Sequence, residues 1–410
     1  MTKVVQIQYS IKSAGSSAIR LQNAFAEEDI ESNIISLYDD DISSKERITY
    51  LGRIPKTRAM IDTKIQTFLF LNNVKKFGLF SYPILGTNVA RMEKVQNADI
   101  IYIHWALGGF LTLKCIEQLA KLNKPIILVL HDMWNITGGC HYSFNCKKYE
   151  TICTECQLFS TTKKNDLSVR EFKKKEKLYT RYNNLYFVSP SIWLFDCAKN
   201  SMLIKNKPIF YIPNIIDNKH FKPFDKNSAK YILNIDINEK VIAFGAVSVD
   251  SPYKGWSYLQ KALEMLNKDY NYKNISILIF GSGYNKAIAD KIPFKTHFMG
   301  RISDEYSINL VYNAADVFVV PSLADNLPTT VMESLCCGTP VVGFDVGGIP
   351  DMICHKENGY LAKYRDSEDL ANGIKFCIEN RIIGKILPTF EKEKVIKSHI
   401  DLINTLINKK

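Results

Sequence analysis

Short apolar runs alternate with stretches of helical periodicity along this chain, and the alternation occurs twice. The first set of runs is Val4–Ile7, Ser32–Leu37, Ile100–Ile103, Ile126–Leu130 and Leu185–Val188. The second is Val241–Phe244, Ile275–Phe280, His297–Met299, Val317–Val320, Val341–Phe344 and Gly359–Leu361. Runs this short and apolar suit strands buried on both faces, and their alternation with helices predicts parallel sheets. The expected fold class is therefore α/β, as two doubly wound, Rossmann-like domains. Past the second set, Phe390–Asn408 repeats apolar residues at helical spacing (Val395, Ile396, Ile400, Ile403, Leu406, Ile407), which predicts a final helix.

Open α/β sheets bind ligands beyond the carboxyl ends of their strands, so the chemistry is expected in the loops there. The most informative of these begins at Pro321, after the run Val317–Val320, and leads into a predicted helix that ends near Gly338. Asp325 lies in the loop and Glu333, eight positions on, inside the helix. A loop feeding a helix N-terminus offers backbone N–H groups and the positive end of a dipole, a natural seat for phosphate. Glu333, about two turns further in, can accept hydrogen bonds from vicinal hydroxyls such as a ribose diol. The segment reads as a nucleotide-sugar site. A dinucleotide fingerprint does not compete with it, because the G-x-G-x-x-G pattern fails at Gly281–Lys286. The acidic run Asp39–Asp41 reads as a loop.

Composition bounds these readings more than it adds to them. A chain of 410 residues, 46% hydrophobic and 23% charged, is ordinary globular protein with room for two complete cores. No secretory start precedes the first strand pattern, and the uncharged stretch Ile100–Leu113 is too short to span a bilayer. A soluble, cytoplasmic protein is expected. The formal charge is +11, most of it in residues 1–200. The densest run, Lys173–Lys177, reads as a solvated helix face. No basic run is interleaved with the aromatics of an RNA-binding sheet, so no nucleic-acid partner is expected. Arg53, Lys56, Arg58 and Lys64 precede Phe68–Leu71, and Lys75, Lys76, Phe77 and Phe80 follow. This mixture fits either a segment touching an anionic membrane or a core helix with a basic outer face.

Four of the ten cysteines cluster: Cys140, Cys146, Cys153 and Cys156. Cys153 and Cys156 form the C-x2-C half of a zinc site, and Cys140 with Cys146 could complete four thiolates. Structural zinc and unmetallated cysteines both remain open. Disulfides are not expected in a reducing compartment.

The Pro321–Pro340 segment also resembles the donor signature of family 4 glycosyltransferases, retaining enzymes of GT-B fold, whose two acids stand in an E-x7-E frame. Here the frame is D-x7-E. The resemblance implies that Glu333 binds the ribose. It implies that Asp325, one methylene shorter than the usual Glu, meets the transferred sugar, and that the backbone after it holds the diphosphate. Other motifs agree. Ile212–Asp217 resembles the linker into the second GT-B domain. His131–Tyr142, with Val188–Leu194, resembles a bacterial surface-polysaccharide branch of the family. The likeness thus covers nearly the whole chain. It implies an acceptor-side domain over 1–205, a nucleotide-sugar-binding domain over 206–389, and a helix over 390–410 that crosses back onto the first domain. The two domains are expected to face one cleft.

Several loops then receive expected roles. Gly15 and Ser16, in a loop of small residues after the first strand, resemble the Gly-rich loop beneath acceptor and diphosphate. His104 and Trp105 follow an apolar strand and are assigned to the acceptor. His131 matches a histidine that contacts the donor sugar in the wider family. Lys254 matches a lysine that holds the leaving diphosphate. The arginine that usually precedes it is missing between Gly245 and Lys254, so Ser248 or a cation from elsewhere (Lys12, Arg20 or Arg301) is expected to assist. Gly281 and Arg301 lie in loops that commonly border the base. Asn326, Leu327, Thr329 and Thr330 complete the diphosphate seat, and His131, Asp325 and Lys254 are expected to carry the chemistry.

The resemblance implies a retaining glycosyltransferase that moves a sugar from a nucleoside-diphosphate sugar to a saccharide acceptor, lipid-linked, in surface polysaccharide biosynthesis. No catalytic cofactor or metal is implied, and the protein is placed in the cytoplasm at the inner face of the plasma membrane. Two alternatives stay open: a nucleotide-sugar epimerase of GT-B fold, and a non-catalytic scaffold of a polysaccharide-assembly complex.

Overall fold

The apolar runs become strands of two parallel sheets in the computed structural model, which describes residues 1–11, 16–38, 47–70, 79–159, 164–245, 251, 253–269, 274–284 and 286–408. The first sheet contains β1 (Lys3–Ser10), β2 (Glu31–Tyr38), β3 (Ile48–Tyr50), β4 (Ile100–Ile103), β5 (Ile126–Val129), β6 (Leu185–Ser189) and β7 (Ile209–Tyr211). Their spatial order is β3-β2-β1-β4-β5-β6-β7. The second contains β8 (Lys240–Gly245), β9 (Ile275–Phe280), β10 (Lys295–Gly300), β11 (Val317–Val320), β12 (Val341–Phe344) and β13 (Gly359–Ala362), in the order β10-β9-β8-β11-β12-β13.

Two strands go beyond the sequence pattern. β3 is three residues at a sheet edge, paired through Ile34 with Ile48, too short to stand out as a run. β7 lies within the stretch expected to lead into the second domain, yet it pairs with β6 through Phe187 with Ile209 and is the last strand of the first sheet.

The apolar runs are continuous because each sheet buries both faces. In β8, Val241 and Ala243 enter one core while Ile242 and Phe244 enter the other. In β1, Val5 and Ile7 face one layer and Val4 the opposite one. Each of these buried Val, Ile and Phe side chains contributes roughly 1.5–3 kcal/mol through area removed from water.

The chain divides into one unit of Met1–Ile215 with Glu393–Lys410, and another of Ile216–Lys392. The helix Lys392–Ile407 supplies Val395, Ile396, Leu402, Ile403 and Leu406 to the core that holds Val4, Phe25 and Tyr102. His399 is buried there, with its Nδ1 3.2 Å from the Tyr102 hydroxyl.

Strand order locates the ligand-binding ends. In both sheets the order reverses beside the first strand, between β1 and β4 and between β8 and β11. Loops leaving adjacent strands at such a point run in opposite directions and leave a crevice. Lys254 follows β8 and Asp325 follows β11; His104 follows β4, and His131 follows β5 beside it.

Candidate functional site

In the second unit, the loop after β11 is shaped by two glycines that tolerate left-handed backbone. Gly255 (φ +67) and Gly347 (φ +61) press against it so closely that a Cβ would sit 1.8 Å from the Pro321 carbonyl oxygen and 2.0 Å from that of Asp325. Leu323 N–H donates to the Tyr253 carbonyl at 2.7 Å, and Gly348 N–H to the Asp325 carbonyl at 3.2 Å. The loops after β8, β11 and β12 are thereby tied together.

Within this frame the Lys254 ammonium meets Asp325 Oδ2 at 2.7 Å. Ser322 Oγ donates to the same oxygen at 3.2 Å, and Asn326 N–H to Oδ1 at 3.1 Å. Burial disfavours the Lys254 charge, but the Asp325 carboxylate outweighs it and holds the ammonium pKa above its ordinary value. Asn326 and Leu327 are buried, and the helix Thr329–Cys336 starts after Pro328 without a side-chain cap. Glu333 lies on that helix, 7% exposed, and accepts a hydrogen bond at 3.1 Å from the hydroxyl of fully buried Tyr312. A buried carboxylate held in this way is oriented in advance to receive further donors.

The other residues expected to meet the donor are more scattered. Gly281 has φ +88 and bonds through its N–H to the Gly300 carbonyl at 2.8 Å, which joins the loops after β9 and β10. Arg301 follows β10 and is exposed. Ser248 lies outside the described residues, as does Gly15; Ser16 opens the helix Ser16–Glu27.

In the first unit, His104 and His131 form a pair. His104 Nε2 is 2.8 Å from Gln6 Oε1, and its Nδ1 is 3.1 Å from His131 Nε2. Gln6 Oε1 can only accept, so His104 carries its proton on Nε2 and receives the His131 Nε2–H at Nδ1. The His104 ring is therefore neutral. Burial drives the His104 pKa well below the usual range and that of His131 to about 4, against the opposing pull of Asp132. Asp132 is the hub next to them. It accepts from Trp105 Nε1 at 3.0 Å, from Trp134 N–H at 2.8 Å and from His141 Nδ1 at 2.5 Å. Burial works against its charge, yet His141 and these donors outweigh it and lower its pKa. His141 is fixed from its other side by Ser81 Oγ at 2.8 Å.

Sequence reasoning missed Asp132, Gln6, Ser322 and Tyr312. Adjacency to His131 was the one usable signal, for Asp132; the other three lie far along the chain from the groups they hold or, like Ser322, look like ordinary loop residues. Two groups bear on metals. Cys140, Cys146, Cys153 and Cys156 all line one cavity. Among the described residues, Asp217, His220 and Glu305 have ligand atoms within 4.8 Å of one another. Asp217 already caps a turn through Lys219 N–H, and it feels the charge of Lys392.

The family model of Glycosyl transferases group 1 matches residues 238–380. An uncharacterized glycosyltransferase of Haemophilus influenzae is 32% identical over 135 residues, 31% of this chain and 37% of that protein. The match thus spans little more than a third of that relative. Among solved structures, the sucrose-phosphate synthase of Thermosynechococcus elongatus aligns over 100% of both chains with a TM-score of 0.66 at 16% identity. Anabaena HepE, solved with UDP and glucose, aligns over 100% of this chain and 99% of its own, with a TM-score of 0.60 at 16% identity. Residues 238–380 are thus similar to the group 1 glycosyltransferases, in a chain whose two parallel-sheet units align with solved structures of GT-B fold.

Proposed function

We propose that the protein is a retaining glycosyltransferase that uses a nucleoside-diphosphate sugar and extends a saccharide acceptor, lipid-linked, in surface polysaccharide biosynthesis. The observation that carries this reading is the grouping of Lys254, Asp325 and Glu333 around the loop Pro321–Pro328 and the helix it enters. A cation beside an uncapped helix start suits a diphosphate, and an oriented carboxylate within the same helix suits a ribose diol. The complexes of HepE with UDP-glucose support a donor of this class on the same fold.

In the reaction, the bond from the anomeric carbon to the diphosphate oxygen breaks as a bond to the acceptor hydroxyl forms on the same face. The hydroxyl proton passes to the departing phosphate oxygen, and the nucleoside diphosphate leaves. Lys254 and the N–H groups of Leu327, Thr329 and Thr330 stabilise the charge that develops on that oxygen. Such a donor is worth about 10²–10³-fold in turnover. In the second unit Asp325 orients the sugar; in the first, His104 and Trp105, held by Gln6 and Asp132 beside His131, suit the acceptor.

A membrane-bound acceptor is supported by the helix Arg53–Phe70, whose polarity runs inside out. Asp62 and Gln66 are buried; Asp62 Oδ1 accepts the Ile84 and Leu85 N–H groups at 2.9 and 2.8 Å. Ile54, Ile61 and Phe68, seven positions apart, are 76%, 47% and 80% exposed. Arg53, Arg58 and Lys64 are exposed among them. A basic apolar stripe of this kind lies well on an anionic lipid surface. Among the described residues no helix is long and apolar enough to cross a membrane.

The test is saturation-transfer NMR with a panel of nucleotide sugars, on wild type and Glu333→Ala. Binding of one donor class, lost in the variant, is the expected result. Absence of binding by any donor at millimolar concentration overturns the reading and favours the scaffold. Product formed from the donor without an acceptor favours the epimerase.

A further inference from the structure

We propose that Cys140, Cys146, Cys153 and Cys156 bind one zinc ion as four thiolates and so clasp the irregular segment between β5 and the helix Leu167–Arg181. All four side chains border the same cavity, and all are free thiols. The described part of this segment contains two short 3-10 turns, Trp134–Ile136 and Lys148–Glu150, and neither a strand nor an α-helix. Long irregular loops inside a compact domain need something to hold them. Met133, Ile136 and Tyr149 anchor parts of the segment in the main core, but the apolar cluster beside Cys140 and Cys156 is small, with Phe80 and Leu158 its buried members.

Backbone N–H groups approach two of the sulfurs, although burial favours the protonated thiols. Gly138 N–H donates to Cys153 Sγ at 3.1 Å, and the Leu158 N–H, two residues past Cys156, points at Cys156 Sγ. An N–H directed at sulfur stabilises the anion more than the thiol. The C-x2-C turn is tight, with Glu155 at φ +47, and Phe144 at φ +47 makes a second turn just before Cys146. Gly138 fits beside Cys153 only because it has no side chain: a Cβ there would lie 2.8 Å from that of Cys153.

Charge balance favours the same conclusion. Zinc with four thiolates carries a net charge of about −2 and releases four protons to solvent as it forms. Lys175 is fully buried close to Cys140 and Cys153, its ammonium bonded to the carbonyls of Trp134 at 2.5 Å and Thr137 at 3.1 Å. Lys148 donates to the Thr154 carbonyl at 2.8 Å, inside the C-x2-C turn. Both cations lie near the sulfurs, Lys175 with Glu171 beside it and Lys148 3.9 Å from Glu155 Oε2. The sulfurs border the cavity without being drawn to one point, for the Asp217 group alone among the described residues brings three ligand atoms within 4.8 Å. Protonated thiols have no attraction to close them, and the irregular backbone lets them close on an ion without breaking a strand.

The experiment is elemental analysis of the full chain purified without chelator, followed by cobalt(II) substitution. About one zinc per chain is expected, together with the thiolate-to-cobalt charge-transfer bands of a tetrahedral site. Cys153→Ser and Cys156→Ser are expected to lose the metal, and Cys336→Ser to keep it. If the first two variants fail to fold, alkylation of folded wild type settles the matter: these four cysteines should be protected until a strong chelator is added. Metal-free protein that does not take up zinc, iron in place of zinc, a disulfide among the four, or alkylation indifferent to chelator would each overturn the proposal.

Discussion

The Lys254 ammonium and the Asp325 carboxylate face each other at 2.7 Å, one from the loop after β8 and the other from the loop after β11. The pair is half-shielded from water, with side chains 30% and 12% exposed. A diphosphate arriving there exchanges one anionic partner of Lys254 for a stronger one and frees Asp325 for a sugar hydroxyl. Lys254→Ala is therefore expected to lower turnover about 10²–10³-fold, read as release of nucleoside diphosphate. Lys254→Arg should recover part of the loss. Equal rates in wild type and Lys254→Ala would remove the lysine from the mechanism.

Glu333 should act on binding more than on turnover. A hydrogen bond to a charged group contributes roughly 1.5–3 kcal/mol, so Glu333→Gln is expected to weaken the donor at least about tenfold in titration calorimetry. Tyr312→Phe removes the hydroxyl that orients the carboxylate and should weaken the donor by a smaller factor. An unchanged donor affinity in Glu333→Gln would assign the carboxylate to the core.

The two tight glycines offer a test of loop placement. Gly255→Ala puts a methyl group 1.8 Å from the Pro321 carbonyl at a left-handed φ, so the loops after β8 and β11 must separate. Activity should fall much further than the melting temperature, because the Lys254–Asp325 contact is lost while the two cores remain. A parallel loss of both would indicate general unfolding.

Buried imidazoles make stability depend on pH. Burial lowers the His399 pKa from 6.5 to about 3 and that of His131 to about 4, and it lowers His104 as well. The unfolded chain takes up these protons first as the medium is acidified. Their contribution is complete above pH 6.5 and is lost as pH falls through the window down to the folded values. Each group changes stability by about 1.4 kcal/mol per pH unit there. Urea unfolding between pH 7 and pH 5 should show that decline, and His399→Asn should make it shallower by about one such increment. A slope unaffected by the substitution would mean that His399 is protonated in the fold.

The exposed stripe on Arg53–Phe70 predicts sedimentation with anionic vesicles. Replacing Ile54, Ile61 and Phe68 by serine should abolish it and leave the unfolding curve in place, since the three side chains lie outside the core. Wild-type protein that stays in the supernatant would contradict a membrane role for the helix.

Much of the architecture was legible because parallel strands buried on both faces write themselves as unbroken apolar runs. Val241–Phe244 and Val317–Val320 are examples. β3 and β7 were harder, being three residues each and defined by pairing rather than composition. That Asp325 and Glu333 share one loop and the helix after it was legible from a local frame; that Lys254 meets Asp325 from 71 positions away was not. Their supports were hidden as well: Tyr312 reaches Glu333 from a neighbouring helix, and Gln6 reaches His104 from a neighbouring strand, contacts that no local pattern encodes. The helix Arg53–Phe70 shows the same limit. Its charges and aromatics were visible, but only the fold reveals that Asp62 points inward and Phe68 outward.

The final helix also sets the order in which the molecule can be finished. Val4, Leu21 and Phe25 leave the ribosome early, whereas Val395, Leu402 and Leu406, which share their core, are made after the whole second unit. At ordinary rates of synthesis the gap is on the order of tens of seconds. Through that interval Tyr102 and its neighbours present an uncovered apolar face, and the nascent first unit depends on chaperones or on its own partial order. The earliest unit to be synthesised is the last to close, and His399 is among the residues that close it.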